Sequence, residues 1–149
     1  MDKISESRID TIHPAIRDYA RNFLTEAENA GIILRITAGY RTFEEQDHLY
    51  AQGRTAPGKI VTNAKGGDSP HNYGLAIDVV PMVGGQPDWD SALWEQISDI
   101  GKDAGFAWGG DFKSFKDKPH FEKLFGLNIY DLRKLYDTGR DTDGYIKLP

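Results

Sequence analysis

The chain has 149 residues, of which 39% are hydrophobic and 28% charged, with a net charge of −5 and no cysteine. These values suit one globular domain and exclude disulfide scaffolds, thiol nucleophiles, thiolate metal sites and the basic footprint of a nucleic-acid binder. Met1 to Ser7 lacks the apolar run of a secretory leader, and no later stretch reaches bilayer length, so synthesis in the cytoplasm without stable membrane insertion is expected.

Ile12, Ile16, Tyr19, Phe23 and Ala27 recur at steps of three and four, which predicts an amphipathic helix over about 11–30. Asp10-Thr11 are its cap candidates and Gly31 its stop. Ile32 to Thr37 is short and β-branched and reads as a strand that ends at Ala38-Gly39-Tyr40-Arg41. Thr42 and Glu45 have capping-box spacing for a helix through about Gln52. Gly53, Pro57, Gly58, Gly66, Gly67 and Pro70 then mark a long loop, the kind of segment that often carries function and that here could close on a ligand.

Leu75 to Val80 predicts a strand that sets Asp78 on the face opposite Leu75, Ile77 and Val79, with Pro81 ending it and Gly84-Gly85 turning the chain. Asp90 or Ser91 is placed to cap a helix carrying Leu93, Trp94, Ile97, Ile100 and Ala104, stopped by Gly105. Strand character follows around His120-Phe121-Glu122, then a helix near Ile129–Tyr136 and a polar tail in which Asp141-Thr142-Asp143-Gly144 reads as a turn. Helices flanking short strands, some adjacent late in the chain, indicate an α+β domain with a small, mainly antiparallel sheet. No repeat or linker divides residues 1–149 into two domains.

Chemistry concentrates in two segments, Ser69-Pro70-His71-Asn72-Tyr73-Gly74-Leu75-Ala76-Ile77-Asp78 and Asp117-Lys118-Pro119-His120-Phe121-Glu122. Pro119 favours extended backbone at Lys118, and strand alternation then separates His120 and Glu122 from Phe121. Two histidines and one carboxylate are a catalytic zinc set that leaves one position open, and His71, Asp78 and His120 would supply it. Asp117, three residues before a ligand, is the candidate for proton transfer. Taken singly, each histidine could be a hydrogen-bonded structural residue, Asp78 could pair with an arginine, and Asp117 could be a turn residue.

Together these segments resemble the zinc D-alanyl-D-alanine carboxypeptidase family, and within it the L-alanyl-D-glutamate endopeptidases of phage endolysins and bacterial wall hydrolases. The resemblance runs from about Leu34 to Glu122 through Gly39-Tyr40-Arg41-Thr42, Ser69 to Asp78, Trp108-Gly109-Gly110-Asp111 and Asp117 to Glu122. It implies a hedgehog/D-Ala-D-Ala-peptidase-like fold, Zn²⁺ held by His71, Asp78 and His120, Asp117 as general acid/base, and Arg41 stabilising the oxyanion. It also implies substrate contact or ligand support from Ser69, a groove-lining role for Trp108 (packing being the alternative), and Glu122 behind His120. Asp at 117 and the aromatic-Gly-Gly-Asp run resemble the endopeptidase branch rather than D-Ala-D-Ala carboxypeptidases or dipeptidases. The implied partner is the peptidoglycan stem peptide, met at the cell wall after release, by a monomer with no separate wall-binding domain. Hedgehog-type domains keep similar zinc ligation without turnover, so a zinc-stabilised binding module is the competing expectation. His13 and His48 lie outside these motifs.

Overall fold

In the computed structural model, which describes residues 1–149, the helix expected over about 11–30 is α2 (Pro14–Asn29), and a separate short helix, α1 (Lys3–Ile9), precedes it. The Asp2 side chain caps α1 by accepting from the Ser5 N–H. Pro14 disfavours helix at the residue before it and so sets where α2 begins. The cap of α2 is therefore His13, whose Nδ1 accepts from Ala15 N–H, and not Asp10-Thr11. Ile12 falls in the connection yet is fully buried beside Ile9.

Strand β1 (Leu34–Ala38) leads to α3 (Phe43–Ala51), whose Thr42–Glu45 capping box forms as the spacing predicts. A 3₁₀ turn over Pro70–Tyr73, capped by Ser69, precedes β2 (Ala76–Val83). Pro81 does not end β2. The ladder resumes beyond it through Met82 N–H to Ile33 O, while the Pro81 carbonyl accepts from Asp88 N–H, so the missing donor falls where it can be tolerated. The Gly84-Gly85 turn then joins β2 to β3 (Gln86–Pro87). Helix α4 (Trp94–Asp103) begins later than expected, because Ser91 accepts from Leu93 N–H in a turn and neither it nor Asp90 caps the helix. β4 (Ala107–Trp108), β5 (His120–Glu122) and α5 (Ile129–Thr138) follow.

The sheet is antiparallel throughout, in the order β1-β2-β5-β4, with β3 pairing on β2. This is the expected α+β architecture. One cluster of 21 buried hydrophobic residues runs from Ile9 to Ile146. The C-terminal segment read as a polar tail is docked: Ile146 is buried, its carbonyl accepts from His13 Nε2, and Arg140 bridges to it. Asp141 makes the expected turn by accepting from Asp143 and Tyr145 N–H. No helix is long and apolar enough to cross a membrane.

Helix α4 is held close to the sheet at Gly101, where an added Cβ would lie 2.5 Å from the Phe121 ring and 2.9 Å from Phe23. Gly101→Ala is therefore expected to destabilise by about 1–3 kcal/mol through overpacking, although alanine in an open helix position would gain about 1 kcal/mol. Urea unfolding checks the sign, and an unchanged or raised midpoint would show that the two rings can yield.

Candidate metal centre

Asp78 and His120 meet because β2 and β5 pair them directly across the sheet, in the register Ala76↔Glu122, Ile77↔Phe121 and Asp78↔His120. Alternation turns Ile77 and Phe121 into the core and leaves Asp78 and His120 on the other face. His71 arrives from the 3₁₀ turn, which Gly74 closes at φ 70°, a left-handed conformation that glycine adopts without strain. Ser69 Oγ accepts from His71 N–H at 3.3 Å, and the Arg41 N–H donates to the His71 carbonyl.

Asp78 Oδ1 lies 3.1 Å from His71 Nε2 and 3.4 Å from His120 Nδ1, and all three ligand atoms fall within 4.8 Å of one another. The outward nitrogens fix the tautomers. His71 Nδ1 donates to Gly39 O at 2.8 Å, and His120 Nε2 donates to Glu122 Oε1 at 2.7 Å. In the neutral rings, His71 Nε2 and His120 Nδ1 are consequently lone pairs that face a carboxylate oxygen, and nothing between them can donate. A cation resolves such a cluster. Ligand atoms of a four-coordinate zinc with bonds of about 2.0–2.1 Å stand about 3.3 Å apart, which the two measured separations match. The donor set therefore fits zinc, with Gly39 O and Glu122 orienting the two rings from behind.

Without the cation, the charges compensate one another. Burial pushes the Asp78 carboxyl up, but His71 and His120 together hold it well below the usual carboxylate range. Burial likewise pulls His120 down, and its bonds to Asp78 and Glu122 outweigh this and push it up to about 9. Asp117 is raised, first by burial and then by the Asp78 charge, against the opposing pull of His120, His71 and Arg41.

A cleft of about 620 Å³ opens over the trio and also contains Arg41, Ser69, Asp117 and Glu122. Leu49, Val61, Phe112 and Phe115 add apolar surface to it. Asp117 is anchored by its N–H to Gly109 O, and a side chain at 109 would run into the Asp117 carbonyl, so the glycine permits that approach. Arg41 donates through Nη1 to Gln46 Oε1 at 2.8 Å, and its Nη2 stands 3.8 Å from Asp78 Oδ2. The arginine pairing considered for Asp78 thus exists, but at long range and beside the trio.

Trp108 does not line the cleft. Its side chain is packed in the core and its indole N–H donates to Lys118 O at 2.7 Å, so it braces the Asp117–His120 segment from behind. His13 is a capping residue and His48 is exposed outside the cleft. The sequence motifs include Gly39 but not the role of its carbonyl, and they do not include Gln46, Phe112 or Phe115. A backbone carbonyl and a buried amide carry no motif of their own. The aromatic pair at 112 and 115, between a glycine turn and the Asp117 segment, was a readable signal. A separate hollow of about 310 Å³, bounded by Tyr40, Tyr136 and Tyr145, shares no residue with the cleft.

A family model described as D-alanyl-D-alanine carboxypeptidase matches residues 62–123, which include His71, Asp78, Asp117 and His120. The peptidoglycan L-alanyl-D-glutamate endopeptidase CwlK of Bacillus subtilis is 46% identical over 123 residues, an alignment covering 76% of this chain and 74% of that one. The L-alanyl-D-glutamate peptidase of Listeria phage A118 is 31% identical over 117 residues, which are 74% of this chain but 38% of the phage protein. Among solved structures, the L-Ala D-Glu endopeptidase ChiX of Serratia marcescens superposes with a TM-score of 0.65 at 24% identity, over 84% of this chain and 90% of its own. The vancomycin-resistance D,D-pentapeptidase VanY, solved in complex with Zn(II), superposes with a TM-score of 0.59 at 18% identity, over 91% of this chain and 84% of its own. These two likenesses establish a common fold. Identity of 46% over most of both chains, together with the family model on the very segments that form the trio, establishes that this chain belongs to the D-alanyl-D-alanine carboxypeptidase family of peptidases, M15.

Proposed function

We propose that this protein is a zinc-dependent endopeptidase of the bacterial cell wall that hydrolyses the L-alanyl-D-glutamate bond of peptidoglycan stem peptides. The observation that carries the chemistry is the convergence of two imidazole lone pairs and the Asp78 carboxylate in one cleft with Asp117 and Arg41. The choice of bond rests on the activity named for the 46%-identical Bacillus relative.

His71, Asp78 and His120 hold the metal. When bound, zinc supplies a Lewis acid for the scissile carbonyl and brings the pKa of its water to about 7. Asp117 takes a proton from the attacking water and hands it to the departing D-Glu amine. Its half-buried position and the nearby Asp78 charge hold its carboxyl above the ordinary range, which suits a group that must both accept and release a proton. Arg41 presents its guanidinium to the oxygen that gains charge as the carbonyl becomes tetrahedral. Ser69 shapes the turn that carries His71 and meets the substrate at the cleft edge. Asp117 and Arg41 favour turnover over a zinc-stabilised binding module, which has no chemical use for either. We read the protein as a monomer that reaches its substrate at the wall and needs no nucleic-acid partner.

Purified peptidoglycan digested with as-isolated, chelator-stripped and zinc-restored protein is expected to gain D-Glu amino termini in the first and third cases only, as read by mass spectrometry. Release of free D-Ala without those termini would refute the choice of bond. Asp117→Asn is expected to lose about 10²–10⁴-fold in kcat while retaining one zinc per chain by elemental analysis. Because a raised carboxylate destabilises the fold when ionised, the metal-free Asp117→Asn variant should also melt no lower than the metal-free parent at neutral pH. On the acid side, kcat/KM should fall as Asp117 becomes protonated, and Asp117→Asn should remove that limb from whatever activity remains. Glu122→Gln should weaken zinc affinity about 10–100-fold in a competition assay with a chromogenic chelator, since His120 loses its charged partner.

A further inference from the structure

We infer that Gln46 is a positioning residue for Arg41, holding the guanidinium in the cleft and away from Asp78, and tying it to the 62–64 wall of the same cleft. This inference rests on the oxyanion role given to Arg41 above. Gln46 lies on α3 and is fully buried, an unusual place for a carboxamide unless every polar atom is occupied. Its partners are of two kinds and fix which way the amide faces. Arg41 can only donate, so the atom it meets at 2.8 Å is Oε1. The Ala64 carbonyl can only accept, so the atom that meets it at 2.9 Å is Nε2, which also lies 3.4 Å from Thr62 Oγ1.

Opposite charges then explain what the amide prevents. Arg41 Nη2 stands 3.8 Å from Asp78 Oδ2, too long for a hydrogen bond but close enough for attraction in a partly buried site. Released from Gln46, the guanidinium would close on Asp78, engage a carboxylate that the metal needs, and leave the position from which it meets the oxyanion. A glutamate at 46 could still accept from Arg41, but it would have nothing to donate to Ala64 and would neutralise the charge that the cleft requires. A neutral group with one acceptor and two donor hydrogens meets both demands.

The wall that Gln46 reaches is fixed from the opposite direction as well. Arg54 donates to Thr62 O and to Asn63 Oδ1, and Asp47 accepts from Gly66 N–H at 2.7 Å. The half of the long loop next to the metal is thus clamped by side chains from α3 and the turn after it, and does not move independently of Arg41. A substrate that presses on residues 62–64 presses, through one amide, on the arginine.

A double-mutant cycle tests this. Gln46→Met and Arg41→Met are made singly and together, and each protein is assayed on stem peptide with zinc content and melting temperature recorded. Gln46→Met is expected to lower kcat about 10–100-fold in the presence of Arg41, with KM changed less, and to cost less than about threefold when Arg41 is already methionine. An equal loss in both backgrounds would overturn the positioning role and leave Gln46 a packing residue. Wild-type kcat in Arg41→Met alone would overturn the role of Arg41 and with it this inference. Should Gln46→Met fail to fold, Gln46→Asn, whose shorter neutral amide cannot span both partners, serves in its place: the expected loss again vanishes without Arg41, and a loss that persists without it counts against the proposal.

Discussion

Everything in this site depends on three ligand atoms that converge on one spot and call for positive charge between them. The outward nitrogens of His71 and His120 are committed as donors to Gly39 O and Glu122, so the inward nitrogens present lone pairs to Asp78 Oδ1. Three acceptors pointed at one spot repel unless protons or a cation lie between them. Protons can do so by charging the rings, and the bonds of His120 to Asp78 and Glu122 favour this against burial; a divalent ion does it for all three groups at once and matches the spacing. The fold stores this demand by building the two histidines' outer partners into rigid elements, so the rings cannot turn away to find other donors.

The sheet is the instrument of that rigidity. Asp78 and His120 are cross-strand partners, and their neighbours Ile77 and Phe121 are both fully buried, so slipping the register by one residue would turn ligands inward and core residues outward. On the other flank, β1 shifts register between Ile36 and Ala38, and the chain leaves the sheet at Gly39, whose carbonyl orients His71. Gly39 in turn packs against Arg8 O and Ile12 at the α1–α2 junction, where a side chain would meet atoms about 3.1 Å away. The N-terminal helices thus reach the metal centre through one carbonyl. This connects a core contact far from the chemistry to the orientation of a ligand ring.

The groups proposed for proton transfer and charge stabilisation sit on the two loops that flank this frame. Asp117 sits on backbone that Gly109 allows to come close and that Trp108 braces through the Lys118 carbonyl. Arg41 follows β1 and is set by its main chain on His71 and by its side chain on Gln46. Both groups are anchored at two points, which suits electrostatic catalysis, where the benefit comes from dipoles and charges that need not reorganise during the reaction.

Local chemistry was legible in the sequence because it obeys local rules. The capping box at Thr42–Glu45, the alternation through Ile77-Asp78-Val79 and the candidate ligand residues are all properties of a few consecutive side chains. The errors also have local causes that sequence periodicity hides. Ile12 keeps the apolar rhythm of α2 but lies before Pro14, so the helix starts later than the periodicity suggests, and Pro81 remained in β2 because the ladder could omit its donor. What the residues alone determined was the set of candidate groups for binding a metal and moving a proton. The tertiary structure decided which lone pairs converge, because this depends on the β2–β5 register, on a carbonyl at Gly39 and on an amide at Gln46 brought in from distant parts of the chain. Backbone carbonyls are the same at every residue, and only folding selects which one a histidine will meet.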